Sequence, residues 1–194
     1  MDQNKQISKW LTETIGYRDA GRIAASQQAI FGKCVGSLEG KTDNQMKMLT
    51  QTILPRVALY KALQSDDQYK DRAYELTRKY MIEVVGKQKH NSTAGMEKFP
   101  GFYKLYSKVF LKIMRTTDLQ VSTQKEGKDY YDITITDCLW NNACVEFGCP
   151  ELCRAFCEVD DITYGGLNKL GFTRTQTLGT GGECCDFHFY RKKA

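Results

Sequence analysis

Lys128-Asp129-Tyr130-Tyr131-Asp132-Ile133-Thr134-Ile135-Thr136-Asp137-Cys138-Leu139-Trp140 changes the rhythm of the chain. Tyr131, Ile133 and Ile135 alternate with Asp132, Thr134 and Thr136. A period of two marks a half-buried strand. Leu119 to Gln124 has the same character, and Glu126-Gly127-Lys128 between the two runs supplies a hairpin turn. Two more strands are expected near the end, Phe172 to Leu178 and Cys185 to Arg191, joined by Gly179-Thr180-Gly181-Gly182.

Before Thr117 the period is that of a helix. Ile7, Trp10, Leu11, Ile15, Ile23 and Ile30 give one amphipathic run from Lys5 to about Phe31, with Gly16 and Gly21 as breaks. A second runs from about Thr42 to Leu63 and should kink at Pro55. A third covers Asp67 to Val85. Lys87 to Lys98 reads as a polar loop that leaves His90 solvated. A fourth helix, Gly101 to Met114, carries Phe102, Leu105, Tyr106, Val109, Phe110 and Ile113 and is expected to be deeply buried. A short helix over 141–147 and a longer one opening at Pro150 and ending near Tyr164 or Leu167 complete the pattern. The fold class is therefore α+β: a mainly helical part over 1–116 against a small antiparallel sheet with a cysteine-rich helix over 117–194, all in one domain.

Composition narrows the function. The net charge of +5 is dispersed, with no basic stripe or interleaved aromatic platform, so nucleic acid is not an expected partner. A small anionic substrate, such as a carboxylate, suits the mild positive balance. No apolar run reaches the roughly 18 residues of a membrane span, and no membrane partner is expected. The polar start Met1-Asp2-Gln3-Asn4-Lys5-Gln6 does not read as a signal peptide, which points to the cytoplasm and to eight reduced cysteines. The oligomeric state is left open.

Cys149, Cys153 and Cys157 recur every four residues, and Asp160 and Tyr164 continue the same stripe. A free cysteine is a small hydrophobe, and such a stripe can simply let a helix approach a sheet closely. It can also line a small-molecule site. Cys149 is then the candidate nucleophile, because a helix N-terminus lowers a thiol pKa. Metal binding is a weaker reading, since no CxxC pair exists; neither metal nor cofactor is expected.

On the last strand Cys185, Phe187 and Phe189 share one face, while Cys184, Asp186, His188 and Tyr190 share the other. His188 and Asp186 can form a base and its orienter, or an exposed polar face. Arg174 can hold a carboxylate through its bidentate fork, or make a surface ion pair.

Gly148-Cys149-Pro150-Glu151-Leu152-Cys153, Phe156-Cys157-Glu158-Val159-Asp160, the run Phe172 to Leu178, and Gly181-Gly182 followed by Cys185-Asp186-Phe187-His188-Phe189 resemble the C-terminal signature of the L-2-amino-thiazoline-4-carboxylic acid hydrolase family. Ile53 to Tyr60 is similar to its N-terminal half. The resemblance implies a hydrolase that opens a 2-aminothiazoline carboxylate with water to give a carbamoyl-cysteine. On that reading Asp160 or His188 activates water and Cys149 is the further catalytic candidate. Cys153, Cys157, Arg174, Cys185 and Asp186 contact substrate, with Arg174 on its carboxylate. The Cys184-Cys185 doublet leaves open which thiol faces the site. Alternatives are a non-catalytic small-molecule or metal-binding module, and a thiol-redox or sensing protein.

Overall fold

The computed structural model describes residues 3–193. It is α+β, with helices followed by a four-stranded antiparallel sheet in the order β1-β2-β4-β3. Its residues gather into two compact units. One holds the chain up to Tyr80 together with Ala143–Leu152; the other holds Met81–Asn142 and the residues from Cys153 onward.

In the first unit, Gln3–Ile15 (α1) and Tyr17–Gly36 (α2) are parted by Gly16 alone. Its φ of 83° is a left-handed value that interrupts a helix at no steric cost only in glycine. Gly21 stays helical. Thr42 and Gln45 form a reciprocal capping box that opens Asp43–Met48 (α3). The kink expected at Pro55 takes the form of one widened π-turn, Leu49–Ile53, before Leu54–Gln64 (α4). A wide turn relieves the clash of the proline ring with the preceding turn. Nine of the eleven residues of α4 are buried, so this helix is the axis of the unit. Arg56 is among them; its guanidinium donates to Gln3 Oε1 at 3.4 Å. Ala73–Tyr80 (α5) and part of Leu139–Glu146 (α8) complete it.

The second unit opens with a π-turn, Met81–Gly86, that runs straight into Lys87–Met96 (α6). The polar loop expected at 87–98 is thus a helix. His90, Thr93, Ala94 and Glu97 turn inward at helical spacing, but three of the four are polar, so the stripe is invisible to a hydrophobicity reading. His90 Nδ1 lies 3.2 Å from the Thr163 carbonyl oxygen and is not simply solvated. The buried Glu97 carboxylate accepts the amides of Asn168, Lys169 and Leu170, fixing the chain that enters the third strand.

Phe102–Thr116 (α7) lies along the hairpin of Gln120–Glu126 (β1) and Tyr130–Cys138 (β2). It is not deeply buried. Phe102, Leu111 and Met114 enter the core, whereas Leu105, Val109 and Ile113 are exposed. Leu170–Thr173 (β3) is shorter than expected, because residues 174–177 leave the sheet. Cys185–Arg191 (β4) pairs with β2 and β3, and its Cys185 and Phe189 point into the core with Tyr131, Ile133 and Ile135. Cys153–Tyr164 (α9) packs on this inner side and against Gly86. A Cβ at Gly86 would meet Ile162 Cγ2 at 3.0 Å, so the two backbones approach closely. No helix among the described residues is long and apolar enough to cross a membrane.

Candidate functional site

The helix that bears the cysteines starts later than its sequence suggests. Pro150–Leu152 is a single 3-10 turn, and α9 begins at Cys153. Cys149 precedes that turn, its amide donating to the Cys144 carbonyl at 2.8 Å. It belongs to the first unit, fully buried, with Cys34 and Tyr60 as electrostatic neighbours. Cys153, not Cys149, occupies the helix N-terminus.

In the second unit four cysteines are electrostatic neighbours: Cys138, Cys153, Cys157 and Cys185. The 3-10 turn Leu178–Thr180 closes over them. The amide of Leu178 donates to Cys185 Sγ at 3.4 Å. A Cβ on Gly179 would lie 2.8 Å from Cys153 Sγ and 2.9 Å from Cys157 Sγ, so only glycine fits above the pair. A hydrogen bond with Cys153, then burial, pushes the Cys157 thiol far up, against a pull from the Thr177 hydroxyl. Burial lifts Cys138 to about 12 and raises Cys185. The sulfurs of Cys138, Cys157 and Cys185 are therefore protonated near neutral pH, and there a thiol rather than a thiolate is what a ligand would meet.

One turn beyond Cys157, Asp160 keeps part of its surface in solvent. Enough protein crowds its carboxyl to raise the pKa to about 6, while Lys89 and Arg174 draw it down. Tyr106 and Tyr164, linked by a 3.4 Å hydrogen bond between their hydroxyls, also feel its charge. Arg174, just past β3, reaches back to α9. Its Nη2 donates to the Cys157 carbonyl at 2.9 Å and to Asp161 Oδ2 at 2.5 Å, and its guanidinium lies 5.9 Å from the ring centres of Phe172 and Phe187. Its Nη1 is buried and has no hydrogen-bond partner among the described residues.

His188 and Asp186 do not join this group. Strand alternation turns both away from the Cys185 face, and they do not pair with each other. His188 Nδ1 sits 2.6 Å from Asp132 Oδ1, the residue opposite it on β2, with the Tyr190 ring stacked 5.5 Å away. Asp186 accepts from the amides of Thr175 and Gln176 at 2.9 and 2.8 Å and from the Thr175 hydroxyl. Those bonds hold its pKa below the usual range despite burial, which pushes the other way. Asp186 thus clasps the segment that carries Arg174. Asp132, Tyr106, Lys89 and Gly179 escaped the sequence reading. Only Gly179 carried a signal, as part of a glycine-rich turn beside the cysteines.

Among the described residues no group of three or more His, Cys, Asp or Glu is arranged to hold a metal ion. Two clefts, one lined by Lys5, Lys9 and Phe31 and the other by Tyr103, Glu126 and Arg191, include none of the cysteines or Asp160.

The C-terminal third of this α+β chain thus gathers buried thiols, a carboxyl with a raised pKa and a guanidinium whose buried Nη1 has no hydrogen-bond partner among the described residues. The chain belongs to the L-2-amino-thiazoline-4-carboxylic acid hydrolase family, whose model matches residues 45–189. No curated protein matches it. Two solved structures align over nearly the whole chain at 9% identity: an Fe(II) unliganded H-NOX protein from K. algicida and a point mutant of it. The first covers 98% of this chain and 95% of its own at a TM-score of 0.34, the second 100% and 97% at 0.33. Likenesses this distant carry no argument.

Proposed function

We propose that this protein is a hydrolase that opens a small cyclic amidine carboxylate of the 2-aminothiazoline type, giving a carbamoyl-cysteine. Membership of the family supports the reaction class. The unpaired Nη1 of Arg174 is the observation that carries the site: a buried guanidinium donor without a partner is costly, and a substrate carboxylate oxygen would satisfy it.

Asp160 is the proposed proton carrier. With a pKa near 6 it is mostly ionised at neutral pH, yet more basic than an ordinary aspartate. It takes a proton from water as the oxygen attacks the ring carbon between nitrogen and sulfur. The C–S bond then breaks, Asp160 returns that proton to the departing sulfur, and the second proton of the water passes from the new hydroxyl to the former ring nitrogen, leaving C=O and N–H. The product carries one carbamoyl group and one free thiol, and only water has been consumed. Cys157, its thiol pushed up, serves as an S–H donor toward the substrate rather than as a nucleophile. His188 is not assigned the base, because it faces away with Asp132.

Incubation of the purified protein with 2-aminothiazoline-4-carboxylate should yield carbamoyl-cysteine, measured by mass and by the new thiol. Asp160→Asn should lower kcat by about a hundredfold or more. Arg174→Gln should raise KM by about ten- to a hundredfold. No product from folded wild-type protein would remove this substrate. Product formed equally well by Asp160→Asn would remove the mechanism.

A further inference from the structure

The outer side of α7 is divided lengthwise. Leu105, Val109 and Ile113 repeat every four residues along one half and are 67%, 49% and 51% exposed. Lys104, Lys108 and Lys112 repeat beside them along the other half, also exposed. None of the three lysines has a carboxylate partner among the described residues, and the helix contains no acidic residue; Arg115 alone is paired, with Glu126 at 2.8 Å. Phe99, in the turn that leads into α7, is 67% exposed and lengthens the apolar edge.

We propose that α7 is a peripheral docking surface for an anionic lipid bilayer. A row of bare aliphatic side chains on a soluble domain marks a site of association. The row is a convex ridge on a helix rather than a groove. It holds leucine, valine and isoleucine rather than the tryptophan, tyrosine and arginine anchors that dominate protein interfaces. Beside it run Lys104, Lys108 and Lys112, none with a carboxylate partner among the described residues. That combination suits a fluid surface in which aliphatic groups enter the acyl boundary and lysines meet headgroup phosphates or carboxylates. A helix lying in the interface does not need the length of a membrane span.

Co-sedimentation of the full chain with phosphatidylcholine vesicles, with and without phosphatidylserine, tests this. Binding should require phosphatidylserine and weaken as salt is raised. It should fall about fivefold per lysine in the series Lys104→Gln, Lys108→Gln, Lys112→Gln, to about a hundredfold when all three are changed. Val109→Asp, on an exposed position and therefore compatible with folding, should also abolish it. Equal binding to both vesicle types, no binding to either, or indifference to the three lysines would overturn the proposal. So would a concentration-dependent dimer that Val109→Asp dissolves, which would assign the ridge to a second copy of this chain.

Discussion

Burial raises the pKa of Asp160 from an ordinary 3.8 to about 6. Between those values the folded chain holds a proton that the unfolded chain has released. Stability from this group is therefore full below the unfolded value and declines as pH rises through the folded one, by at most about 3 kcal/mol, less whatever its partial solvent contact screens. An asparagine there imitates the protonated acid at every pH. Asp160→Asn should thus be as stable as wild type near pH 4 and more stable by about 1–3 kcal/mol near neutral pH, read from urea midpoints. Equal stability of the two proteins at both pH values would mean that Asp160 is well solvated, and its role as proton carrier would fall. The sequence made Asp160 visible because it continues the spacing of Cys153 and Cys157. It could not reveal His188's partner, since Asp132 lies 56 residues away and is brought opposite only by strand register. Asp186, two residues from His188, looked the better orienter because local spacing was all there was to read.

At the scale of elements, what hydrophobic periodicity could describe was legible: β2, the β1–β2 hairpin, α1 with its glycine break, and a disturbed helix around Pro55. Elements whose inward face is polar were not. α6 turns His90, Thr93 and Glu97 inward, and its place is set by the Thr163 carbonyl and the amides of 168–170, none of them near in sequence. The opposite error arose at α7, where apolar residues on two faces suggested full burial although one face meets solvent. The turn over the cysteines shows the same limit. Its glycines announced a loop but not what lies beneath it. Gly179→Ala should be destabilising by about 1–3 kcal/mol, because the added carbon meets two sulfurs and the Cys153 carbonyl carbon at 3.0 Å or less. Adding Cys157→Ala should restore part of the loss and leave the rest, since the backbone contact persists. Full recovery would place the strain in the sulfurs alone, and no loss at all would show a turn free to move.

Over the whole molecule, eight free thiols are distributed between the two units, Cys34, Cys144 and Cys149 in the first and the other five in the second. Five are buried: Cys34, Cys144, Cys149, Cys153 and Cys185. Cys138, Cys157 and Cys184 are partly exposed, but exposure alone does not set reactivity, because the thiolate is the reacting species. Burial and, for Cys157, the bond with Cys153 hold two of those three in the protonated form. Cys184 sits in the bend just before β4, partly exposed and outside the core cluster that holds Cys185. Native protein treated with a maleimide and analysed by peptide mass should therefore label Cys184 first, Cys157 and Cys138 well behind it, and the five buried thiols only on the timescale of unfolding. Substrate-like carboxylates that occupy Arg174 should slow Cys157 further and leave Cys184 unchanged. A Cys157 as fast as Cys184 would reveal an accessible thiolate next to Asp160, and the case for a nucleophile in place of an S–H donor would reopen.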